Sequence, residues 1–90
     1  MDEKYLLLTF NSVNHTMQLE KELKNLDKNF KTIPTPREVS RSCGLAILLN
    51  PSELETVKSL KEAGKNVDYL WLFEKTQDRG NVVTEININE

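Results

Sequence analysis

The sequence predicts an α+β fold: an antiparallel sheet with two helices on one of its faces. Three observations lead there. Residues 4–10, 30–33, 45–50 and 67–73 are short, largely apolar runs closed by turn residues, the pattern of strands. Residues 12–26 and 50–64 instead repeat apolar side chains at three- and four-residue steps, the pattern of helices. In chain order these elements read βαββαβ, with the second and third strands consecutive.

KYLLLTF (4–10) is bounded by Asn11-Ser12 and reads as a buried first strand. Ser12 suits an N-cap, because its hydroxyl can accept from the free amides of the next turn. Val13, Thr16, Leu19, Leu23 and Leu26 then share one helical face, and the helix should stop near 26–29, with Asn29 able to turn left-handed. Phe30 to Ile33 is a short second strand stopped by Pro34, and LAILLN (45–50) is a third, apolar on both faces. Asn50 is an N-cap with Pro51 at the first helical position, and Glu53 would complete a capping box. Leu54, Val57, Leu60 and Ala63 form the buried stripe of the second helix, which Gly64 ends. VDYLWLF (67–73) is the fourth strand. That set describes a ferredoxin-like sandwich over residues 1–75. In the remaining 76–90, a turn at 77–81 precedes Val82, Thr84, Ile86 and Ile88 alternating with Val83, Glu85, Asn87 and Asn89, so a fifth strand beside the fourth is expected.

Ninety residues suit one domain with one modest core. Apolar residues at 38% and charged residues at 29% are the balance of a folded chain. No run approaches the ~20 apolar residues of a bilayer-spanning helix. The acidic start and short apolar stretch of MDEKYLLLTF do not make a signal peptide, so a cytoplasmic location is expected. A net charge of −2 gives no global pull toward nucleic acid or anionic lipid. One cysteine and one histidine exclude, within one subunit, chemistry that needs two thiols or several imidazoles, and no metal site or cofactor is implied.

TIPTPREVSRSCG (32–44) concentrates two of the three prolines, Arg37, Arg41 and the single thiol, Cys43, before Gly44. In the predicted topology this connection lies at the same end of the sheet as the start of the first helix. It should therefore approach Phe10 to His15 and the turn at 64–66. A helix N-terminus favours negative charge, and a thiolate is such a charge. Arg37 and Arg41 would add to that field, and His15 is a candidate proton acceptor on the first turn. Gly44 removes a side chain beside the thiol. The plain alternatives stand beside these readings. Cys43 can be a small buried hydrophobe, Arg37 and Glu38 a solvated pair, and His15 a surface residue.

Tyr69, Trp71 and Phe73 alternate along the fourth strand and share one face. RNA-recognition modules of this fold stack bases on such a face, yet the matching aromatic-basic motif is absent here. Leu6, Leu8 and Phe10 oppose Tyr5 and Leu7, and Leu45, Ile47 and Leu49 oppose Ala46 and Leu48, so both faces of the sheet are apolar while helices cover one. A homodimer through the other face is expected, with the aromatic stripe as candidate contact.

IPTPREVSRSCGLA, preceded by YLLLTFNSVNHTMQLEKELK, resembles the DUF3343 family of small bacterial selenium/sulfur carrier-like domains over roughly residues 4–73. The proline-arginine-glutamate run followed by Ser42-Cys43-Gly44 is the specific part. The resemblance implies that Cys43 is the chalcogen-bearing thiol, with Arg37 in the motif around it and Arg41, Gly44, Ser12 and His15 as supporting loop and helix-start residues. It implies a carrier rather than a turnover enzyme. The partners would be a cysteine desulfurase-like or other selenium/sulfur donor and an acceptor protein, with no nucleic acid and no membrane. Such a carrier holds Cys–S–SH or Cys–S–SeH and needs no second cysteine. A non-catalytic ligand-binding or regulatory module and a single-cysteine redox sensor are the alternatives.

Overall fold

The computed structural model of the chain describes residues 3–39, 43–65 and 67–86. In them the elements run β1 (Glu3–Thr9), α1 (Val13–Asn25), β2 (Lys31–Pro34), β3 (Leu45–Leu49), α2 (Leu54–Glu62), β4 (Tyr69–Thr76) and β5 (Gly80–Ile86). The strands form one antiparallel sheet in the order β2-β3-β1-β4-β5. The first four strands and the two helices make the ferredoxin-like α+β sandwich expected from the sequence. β5 is the added strand, paired with β4 from Thr76↔Gly80 to Leu70↔Ile86. Residues 87–90, which the periodicity also assigned to that strand, lie outside the described residues.

β1 is central because it has no polar side to offer water between Leu6 and Leu8. Leu6, Leu7 and Leu8 are all buried, at 2%, 0% and 0% exposure. Antiparallel strands alternate their faces, so Leu6, Leu8, Phe10, Ile47, Leu49 and Leu70 point to the helices. There they meet Leu19 and Leu23 of α1 and Val57 and Leu60 of α2 in the main core. The other face gathers Leu7, Ala46 and Phe73 into a second buried cluster. Val39, from the connection between β2 and β3, joins that cluster. The cysteine-bearing connection therefore folds back over the helix-free face instead of standing away from the domain.

The helix ends follow local chemistry. Ser12 is extended at φ −149° and its Oγ accepts from the His15 amide at 3.2 Å, the expected N-cap. At the far end of α1 it is Asp27, at φ 58°, rather than Asn29, that turns left-handed. The amides of Asp27 and Lys28 donate to the carbonyls of Lys24 and Leu23, at 3.0 Å each. That pairing needs the left-handed residue directly after the cap, which fixes the position at 27. Gly64 does the same for α2 at φ 80°.

The start of α2 differs from the expectation. Asn50 caps as predicted, its Oδ1 accepting from the Ser52 amide at 3.0 Å, but Pro51–Glu53 form a 3-10 turn ahead of the α-helix. Glu53 does not close a capping box. Its carboxylate accepts from Thr56 Oγ1 at 2.9 Å and meets Lys28 Nζ at 3.3 Å. Those two partners hold the Glu53 carboxyl below the usual glutamate range, with Thr56 the larger influence. A carboxyl lowered in the folded state stabilises fully above its unfolded value and loses that contribution as pH falls through the folded one. Thermal melting should show this. Between about pH 5 and pH 3 the wild-type midpoint falls further than that of Glu53→Gln, and the two curves converge at the acid end.

Candidate functional site

The loop after β2 returns to the sheet through Gly44, whose φ of +104° is open to glycine and costly for other residues. Built on that backbone, a Cβ would meet nothing within 4 Å, so conformation rather than crowding selects the glycine. The Gly44 carbonyl accepts from the Thr35 amide at 3.0 Å, closing the loop at its neck. One residue earlier, the Cys43 amide donates to the Phe10 carbonyl at 2.9 Å. The cysteine is thereby pinned to the end of β1, at the point where the chain enters α1.

The thiol itself is half-buried and packs against the main core. Its Sγ lies 3.5 Å from Thr16 Oγ1 and 3.9 Å from the Leu45 carbonyl. Thr16 is fully buried, and its hydroxyl also reaches the Ser12 carbonyl at 3.3 Å. The sulfur therefore sits against the side of the first turn of α1, beside a hydroxyl able to donate to it or accept from it. This realises the predicted meeting of the loop with Phe10 to His15.

On the other flank of β1 the first turn carries a second polar group. Asp68, just before β4, accepts at one oxygen from the Asn11 amide at 2.9 Å and from His15 Nδ1 at 2.8 Å. A carboxylate oxygen accepts, so Nδ1 holds the hydrogen of this contact. The histidine side chain is 36% exposed while the carboxylate is withdrawn to 15%. Because the sheet order is β3-β1-β4, Cys43 and Asp68 stand on opposite sides of the β1 terminus. His15 turns toward Asp68 and makes no hydrogen bond to Cys43. Asp68 also supplies a carboxylate at the helix start, where the sequence placed only the thiolate.

Arg37 lies at the tip of an exposed turn, in which the Val39 amide donates to the Pro36 carbonyl at 3.0 Å. No hydrogen bond joins it to Cys43. Arg41, the other expected cation, and Ser42 lie outside the described residues. The α2–β4 connection reaches this end of the sheet through Asp68, whereas Lys65 pairs with Glu22 of α1 at 3.5 Å. Sequence reasoning missed two groups. Thr16 was counted only as part of the buried stripe of α1. Asp68 is 53 residues from His15, and its one signal was a place just past the turn expected at this end. Among the described residues no group of three potential metal ligands occurs.

The aromatic stripe behaves as core on its inner side. Phe73 is buried in the second cluster, and Trp71 packs half-buried against it while its Nε1 donates to the buried Thr9 Oγ1 at 2.9 Å. No helix is long and apolar enough to cross a membrane among the described residues.

Comparison with known proteins places this geometry. Neither the curated proteins nor the solved structures contain a match to the chain. The family described as "Putative Se/S carrier protein-like" matches residues 5–78, a span that runs from within β1 past the end of β4 and holds Cys43. The chain therefore belongs to the Se/S carrier protein-like family.

Proposed function

We propose that this chain is a sulfur or selenium carrier that holds the chalcogen on Cys43, between a donor and an acceptor protein in the cytoplasm. The observation that carries this reading is the position of the chain's one thiol, inside the matched span at a half-buried loop-to-strand junction. The Cys43 thiolate attacks the terminal sulfur of a donor persulfide, R–S–SH. The donor S–S bond breaks, R–S⁻ leaves with the electron pair, and Cys43–S–SH remains. With a donor R–S–SeH the same displacement at selenium gives Cys43–S–SeH. A donor of the cysteine desulfurase kind supplies the first form. An acceptor thiolate repeats the displacement and regenerates Cys43.

The surroundings suit each state of the sulfur. Thr16 Oγ1, 3.5 Å from the sulfur, offers a hydrogen to an anion. Arg37, exposed on the same loop, is free to swing its guanidinium toward a loaded anion or a partner's carboxylate. Nothing in this chemistry calls for a cofactor or a nucleic acid.

Incubation of the full chain with a cysteine desulfurase and cysteine should add the mass of one sulfur atom, and cyanide should remove it as thiocyanate. Cys43→Ala abolishes both signals. A chain that stays unloaded but forms an intersubunit disulfide through Cys43 is a redox sensor, and the carrier reading falls. Arg37→Ala should change stability by no more than about 0.5 kcal/mol, as exposed substitutions do, while slowing loading. Arg37→Lys recovers part of the rate, since charge returns without the guanidinium fork. If Arg37→Ala unfolds the domain and loading by the surviving fold is unchanged, the arginine is a clamp of the loop. Thr16→Val keeps the side-chain volume and removes the hydroxyl. It should cost about 1 kcal/mol of stability and slow Cys43 alkylation at fixed pH, whereas Thr16→Ser restores the rate.

A further inference from the structure

Three large apolar side chains stand exposed among the described residues, and all belong to α1 or its cap: Val13 at 45%, Met17 at 59% and Leu26 at 48%. Val13 and Met17 are one turn apart, and with Glu20 and Lys24 they make one stripe along the helix. Glu20 fixes the direction of that stripe, because its carboxylate accepts from Thr32 Oγ1 of β2. The opposite side of the helix is engaged elsewhere, His15 with Asp68 and Glu22 with Lys65. In the order β2-β3-β1-β4 the stripe therefore lies toward β2 and β3. Cys43, at the entry to β3, reaches Thr16 from the same side.

Given the carrier role of Cys43, on which this rests, we propose that the protein delivering the sulfur docks on this flank of α1. It sets an apolar side chain against Val13 and Met17, and carboxylates opposite Lys21 and Lys24. A donor persulfide reacts only when its terminal sulfur meets Sγ, so the donor must cover the surface on the thiol's side of the helix. Met17, Asn14, Lys21 and Lys24 line an open groove of about 540 Å³ there, room for an inserted side chain. Lys21 and Lys24 form no ion pair among the described residues, and Glu20 is engaged with Thr32. Two ammoniums against one carboxylate leave the flank positive, on a chain whose net charge is −2. The partner surface that fits it is acidic around an apolar centre.

The composition of the flank suits a contact that is made and released with each transfer. Methionine is unbranched and takes the shape of whatever presses on it. An apolar pair beside a charged rim is a small interface, below about 1,200 Å² in total, as transient encounters are. The exposed ammoniums act at longer range and draw an acidic donor toward the thiol's side of the domain.

Loading of the full chain, followed by intact mass, tests this with two donors: a cysteine desulfurase of the same organism with cysteine, and glutathione persulfide. The small donor, G–S–SH, gives its terminal sulfur to Cys43 by the same displacement, leaves as the glutathione thiolate, and needs no docking surface. Lys21→Glu/Lys24→Glu should raise the desulfurase concentration for half-maximal loading about tenfold at low salt, and about 0.5 M salt should narrow the difference. Met17→Glu should raise it by a similar factor, while Met17→Leu keeps the wild-type value. All three positions are exposed, so thermal melting and the rate with glutathione persulfide should stay unchanged. A half-saturation indifferent to both anionic variants overturns the proposal, as does an equal loss with the two donors. Loading by glutathione persulfide with none from the desulfurase overturns the docking surface alone. Loading by neither overturns the carrier reading itself.

Discussion

Everything in this fold depends on a central strand that is apolar on both sides. β1 carries Leu6, Leu7 and Leu8 in succession, and burying one leucine fully contributes about 1.5–3 kcal/mol. That sum is available only if both faces of the sheet are covered. Two helices cover one face. On the other, Leu7 is closed over by Phe73, Ala46 and, from outside the sheet, Val39. The need to cover Leu7 thus reaches into the loop that carries the thiol. The segment between β2 and β3 is held at Val39 by the second cluster, at Thr35 by Gly44, and at Cys43 by Phe10.

This anchoring explains how a lone cysteine acquires a defined position without a disulfide or a metal. Its amide is used in extending the ladder to Phe10, and its side chain is left with core atoms on one side and the Thr16 hydroxyl on the other. The same first turn of α1 is tied on its other flank to Asp68. The turn is thus held from the β3 side and from the β4 side at once. The placement of His15 shows the division of labour: it braces the helix start against β4, while Thr16 addresses the sulfur.

Much of this was legible in the residues. The order βαββαβ, the Ser12 cap, the Gly64 stop and the two-faced apolar strands follow from periodicity and turn chemistry, which act over a few residues. The convergence of Cys43 with Phe10 to His15 followed from topology alone. What escaped depends on distance or on competition. Asp68 meets His15 only through the tertiary fold, and no local pattern marks an aspartate before a strand as a helix brace. Glu53 had the right spacing for a capping box, but Thr56 and Lys28 offered it better partners. Asn29 was a plausible left-handed residue, yet the carbonyls of Leu23 and Lys24 are reached from 27 and 28.

Thr16 gives the site a memory of charge. Its hydroxyl has one hydrogen and two acceptors in reach, the Ser12 carbonyl at 3.3 Å and the Cys43 sulfur at 3.5 Å. While the sulfur keeps its own hydrogen, it can point that hydrogen to Leu45 or to Thr16, and the threonine remains turned to Ser12. Once the sulfur is an anion it has nothing to donate, and the threonine hydrogen swings across to it. The Ser12 carbonyl then keeps only the Thr16 amide, also at 3.3 Å. The two arrangements therefore differ by the rotation of one buried hydroxyl shared between the sulfur and the first turn of the helix.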